Sequence, residues 1–74
     1  RRVLFRSMAE QFGLALEADI TDQLVALFPA ATGRDIKGLA KLVAKYCKQK
    51  HCPADLAAFT RCATFRGLEV SHRG

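Results

Sequence analysis

Apolar residues recur at three- and four-residue spacing through most of the chain and show no period-two alternation, which predicts helices and no strand. Met8, Phe12, Ala15 and Leu16 mark a short first helix, weakened by Gly13 and read as the stump of a longer one. A second segment opens at Asp19, with Asp22 three residues on, and carries Ile20, Leu24, Leu27 and Phe28 until Pro29 stops it. The third is the longest. From Gly33 to Lys50 its apolar stripe is Ile36, Leu39, Ala40, Val43, Tyr46 and Cys47, and its other side is Arg34, Lys37, Lys41, Lys45 and Lys48. Pro53 suits the first position of a fourth helix that buries Leu56, Phe59, Cys62 or Ala63, with Phe65 a further candidate, and that ends where Gly67 offers a left-handed turn after Arg66. Leu68 to Gly74 reads as an exposed tail. The expected fold is all-α, a small bundle of about four helices without internal repeats or a second domain.

The sharpest local signal is Thr32-Gly33-Arg34-Asp35-Ile36-Lys37. Thr32 is a good N-cap, its hydroxyl able to take an amide of the first turn, and Asp35 three residues later completes a capping-box variant at the positive end of the helix dipole. Arg34 is thereby held on the first turn beside amides that have no intrahelical acceptor. That is a place where a guanidinium can meet a phosphate bidentately.

The charge needs correcting before it is used. Arg1-Arg2-Val3-Leu4-Phe5-Arg6-Ser7 looks like the in-frame translation of a widely used sequencing adapter, so residues 1–7 are set aside as a non-native scar, leaving 8–70 as the helical unit and 71–74 as a tail. Removing Arg1, Arg2 and Arg6 from the twelve Lys and Arg leaves nine against seven Asp and Glu, so the net charge falls from +5 to +2. The remaining 67 residues can build one small core, which is below the size at which a chain usually carries a cleft, catalytic residues and a cofactor site together. No apolar run is long enough to span a membrane. Cys47, Cys52 and Cys62 cannot all pair within one chain, and their scatter fits reduced thiols in a cytoplasmic setting.

Cys47, His51, Cys52 and Cys62 could be drawn as a zinc site, but the spacing matches no zinc module, and Cys47 and Cys62 fall on apolar stripes where cysteine acts as a small hydrophobe. No metal site is assigned. Nothing resembles a base with an orienting partner for a cysteine nucleophile, and His72 has no assignable role.

The order of a short helix, the turn T-G-R-D-I-K-G-L, a long helix and a closing helix resembles the C-terminal helical lid of AAA+ ATPases, over residues 8 to about 70. The resemblance implies that Arg34 is a sensor-2 residue reaching the terminal phosphates of ATP, bound with Mg by a large domain that lies outside this chain. It implies that Gly33 lets the backbone come close, that Ile36 and Leu39 pack the lid, and that Phe28-Pro29 and the next turn lie near the adenine end of the cleft. Its implied partners are that missing domain and neighbouring subunits of a homo-oligomeric ring, with no membrane contact. The chain has no G-x-x-x-x-G-K-[ST] loop and no acidic pair after a strand, so alone it is expected neither to hydrolyse ATP nor to bind it tightly. The alternative from the residues is a helix-turn-helix-like nucleic-acid-binding module, with Arg34 and Lys37 reading or clamping the groove and Lys41 and Lys45 on phosphates. Against it stand the modest corrected charge and Asp35 in the leading turn. A ligand-free interaction bundle is the third reading.

Overall fold

The computed structural model describes residues 2–14 and 16–68. Four helices follow in order: α1 (Arg2–Gln11), α2 (Ala18–Leu27), α3 (Gly33–Lys50) and α4 (Leu56–Arg66), with no strand among the described residues. The expectation of an all-α bundle of four helices holds. α3 packs against both α1 and α4, and α2 closes the bundle against the same two helices, so α2 and α3 are diagonal neighbours that do not pack on each other.

The helix ends follow from capping chemistry. At α3, the Asp35 amide donates to Thr32 Oγ1 at 3.2 Å while the Thr32 amide donates to Asp35 Oδ2 at 3.1 Å, the reciprocal pair that the sequence predicts. α1 closes with Gly13 at φ +78° and the Leu14 amide donating to the Ala9 carbonyl at 2.8 Å. α4 closes likewise, with Gly67 at φ +72° and the Leu68 amide on the Ala63 carbonyl at 2.9 Å. At the end of α3 the left-handed position falls to His51, at φ 54°.

Four sequence expectations are displaced. The first helix lies over Arg2–Gln11 rather than from Met8 onward, because Phe5 and Ala9, four apart, both reach the core at 1% exposure, whereas Gly13 turns the chain before Leu16. Residues 2–7, set aside in the sequence reading, therefore occupy the first turns of α1; Ala15 lies outside the described residues. α2 starts at Ala18 behind Glu17, which makes no side-chain cap, so Asp19 sits inside the first turn instead of starting the helix. The fourth helix starts after Asp55, not at Pro53: Asp55 Oδ1 accepts the Ala58 amide at 3.0 Å, a capping bond that proline cannot supply, and Pro53 stays in the connection. Leu68 belongs to the bundle rather than to a free tail, since it is half-buried against the core, while 69–74 lie outside the described residues.

The core joins Phe5, Leu24, Phe28, Ile36, Leu39, Val43, Phe59 and Cys62, each at 1% exposure or less. The rings of Phe5 and Phe28 lie 6.4 Å apart at 33°, tying α1 to the end of α2. Full burial of side chains of this size contributes about 1.5–3 kcal/mol each. Phe65, a candidate for burial, is 67% exposed, two positions past Ala63 and off the α4 stripe of Phe59, Cys62 and Ala63. Thr21 is buried too, its hydroxyl satisfied by donating to the Glu17 carbonyl at 3.1 Å. No helix among the described residues is long and apolar enough to cross a membrane.

Candidate functional site

The start of α3 is the place where the bundle offers chemistry. Thr32 is the cap, Gly33 and Arg34 are the first two helical residues, and the Gly33 and Arg34 amides have no acceptor within the helix. Arg34 is exposed. The two acids that could have neutralised it are otherwise engaged. Asp35 holds the Thr32 amide, and Asp22 meets Arg2 across α1 and α2 at 2.6 Å. Arg34 makes no ion pair among the described residues. A guanidinium and two convergent amides therefore share one helix end whose position is locked by the capping box. That is a donor set for an anion with several oxygens.

Gly33 takes an ordinary helical conformation, and a methyl group there would meet only Leu4 Cδ2 at 3.7 Å, an ordinary contact. The fold thus does not require glycine at 33. Next to this end lies a hollow of about 160 Å³ lined by Phe28, Ala30, Ala31, Asp35, Gly67 and Leu68. Small-molecule sites usually enclose about 300–1,000 Å³, so the bundle supplies at most one wall of such a site. The larger depression, on the outer side of α4 between Leu56 and Phe65, is shallow and apolar, with Arg61 its one ionisable group.

The cysteines and histidine do not converge on a metal. Among the described residues no group of three or more His, Cys, Asp or Glu side chains is arranged to hold an ion. His51 is spent as the exposed left-handed cap of α3, while Cys62 is fully buried and Cys47 nearly so. Desolvation pushes the Cys47 thiol up to about 11, with neighbouring Cys52 adding to the rise, and burial raises Cys62 in the same direction. The Cys47 thiol donates to the Pro53 carbonyl at 3.5 Å. Such thiols are protonated, poor nucleophiles at neutral pH.

Lys37, Lys41, Lys45 and Lys48 all lie exposed on the outer side of α3. A contact with no signal in the helical pattern adds to them. The guanidinium of Arg66, at the end of α4, lies over Gly38, where a methyl group would fall 2.7 Å from its central carbon. A helix-turn-helix packs its two helices directly on each other, and the diagonal placement of α2 and α3 does not provide that unit. No family model, curated protein or solved structure matches the chain.

Proposed function

We propose that the chain is the helical lid of an AAA+ ATPase and that Arg34 is its sensor-2 residue, presented to the terminal phosphates of ATP held by a separate large domain. The observation that carries this reading is the state of Arg34: exposed, without an ion pair among the described residues, and set on a helix start fixed by reciprocal Thr32 and Asp35 hydrogen bonds. The donor set suits phosphate oxygens. It does not suit Mg, because the nearby carboxylate of Asp35 is committed to the cap, so the ion would belong to the large domain together with most of the nucleotide contacts.

Phosphoryl transfer depends on positive charge held over the equatorial oxygens, and bound ATP and Mg supply the chemistry itself. Arg34 adds charge there, and the Gly33 and Arg34 amides orient it. Because the guanidinium rides on the lid, contact with the terminal phosphate would couple the angle of the lid to the presence of that phosphate. Outer surfaces other than the lysine face of α3 would then meet neighbouring subunits of a ring. In the complete enzyme, Arg34→Ala should lower ATP turnover at least tenfold, a typical loss for a charge contact made in the transition state, with Arg34→Lys intermediate because it keeps the charge and loses the fork. Unchanged turnover in Arg34→Ala dismisses the assignment.

A further inference from the structure

We infer that the outer face of α3, completed by Arg66 of α4, is a track for the phosphate backbone of duplex nucleic acid. Helical geometry puts Lys37, Lys41, Lys45 and Lys48 within a sector about 80° wide and spreads them along about 16 Å of axis. No acid interrupts them: the one carboxylate of α3, Asp35, is bound in the cap at the other side of the first turn. Gly38 borders the same sector, and its missing side chain lets the Arg66 guanidinium lie flat against α3, with its central carbon and both terminal nitrogens within 2.8 Å of where a methyl group would be.

This arrangement works against the bundle's own stability. Like charges at spacings of three and four destabilise a helix, and Lys37–Lys41, Lys41–Lys45 and Lys45–Lys48 are such pairs. The helix dipole favours Lys48 and Lys50 in the last turn but not Lys37 and Lys41, and it says nothing of a fifth cation arriving from another helix. A regular polyanion lying along α3 relieves all of these repulsions together.

The occupant follows from what the face lacks. It has no aromatic residue on which a single strand could stack. It cannot enter a lipid surface, because the apolar side of α3, with Ile36, Leu39 and Val43, is in the core. Its cations are lysines and one arginine suited to phosphates, without a set of amide side chains for base edges, so contact is to the backbone and independent of sequence. Arg34 falls in the same sector, one turn ahead of Lys37, but it is assigned to the nucleotide and is not counted among the five, and none of the variants below alters it.

The test is the salt dependence of binding to a fluorescent random-sequence duplex, followed by anisotropy. The background carries Arg1→Gln, Arg2→Gln and Arg6→Gln, so that the adapter-like segment contributes nothing. Five neutralised phosphates give a slope of log K against log salt of about −4.5. Lys41→Gln with Lys45→Gln should flatten it by about 2, and Gly38→Ala, which displaces Arg66, by up to about 1. Lys50→Gln, on the other side of α3, should leave it unchanged. Absence of binding at low salt overturns the inference. So does a Lys50→Gln effect equal to that of a track lysine, or equally tight binding of polyglutamate, since either reduces the face to unspecific charge.

Discussion

Replacing Thr32 with alanine removes one defined hydrogen bond and tests whether the start of α3 is as fixed as the role of Arg34 requires. The Asp35 amide loses its acceptor, Thr32 Oγ1 at 3.2 Å, while the reverse bond from the Thr32 amide to Asp35 remains. Both bonds are solvent-exposed, so water takes up the freed amide and the cost stays near the middle of the range for lost caps, about 1 kcal/mol. In a domain of this size that lowers Tm by about 4–8 °C. Thermal and urea unfolding followed by circular dichroism measure it, and Thr32→Ser, which keeps the oxygen, should stay within about 0.5 kcal/mol of the parent. The same loosening reaches function. If the first turn frays by that free energy, the contact with phosphate proposed for Arg34 weakens about fivefold in the complete protein. A Thr32→Ala protein as stable as the parent, or a serine variant as damaged as the alanine one, refutes the reasoning.

Gly38→Ala sets helix propensity against the Arg66 contact. Because the obstructing atoms end a flexible exposed side chain, propensity should win and stability rise by about 0.5–1 kcal/mol in urea unfolding; a loss would mean that Arg66 cannot move aside. Phe5→Ala opens the core between α1 and α2 and should cost about 3–5 kcal/mol by the same assay, whereas a near-neutral result would show that residues 2–7 are not part of the fold. The raised Cys47 thiol has a pH signature of definite sign. Unfolded, it titrates near 9.0, and folded near 11, so its contribution is fully present below pH 9 and is lost as pH climbs through 11. Cys47→Ala should therefore lessen the loss of stability between those pH values, and a pH profile identical to the parent's contradicts the burial assigned to that thiol.

α3 was almost wholly legible, because its start carries a capping box and its stripe of Ile36, Leu39, Val43 and Cys47 keeps helical phase over twelve residues. Gly67 was legible for the same reason, as a left-handed position that glycine fills without strain. The misplaced elements share a different cause. Pro53 and Asp55 both signal a helix start, and only the bond from the Ala58 amide decides between them. α1 was shifted because setting aside residues 1–7 removed Phe5 from the pattern. Thr21 looked polar and proved buried, since a threonine hydroxyl that returns to the carbonyl four residues back costs little to bury. Of the site, the capping box and the placement of Arg34 on the first turn could be read from Thr32 and Asp35. The freedom of Arg34 from Asp22, and the meeting of Arg66 with Gly38, depend on how separate helices cross, which no local pattern encodes.

The most direct measurement is the structure of the complete protein bound to a non-hydrolysable ATP analogue and Mg. A lid reading requires the Arg34 guanidinium about 2.7–2.9 Å from oxygens of the terminal phosphate, with the Gly33 and Arg34 amides facing the same group. A guanidinium turned against its own bundle, or a complete protein with no phosphate loop to hold the nucleotide, contradicts it.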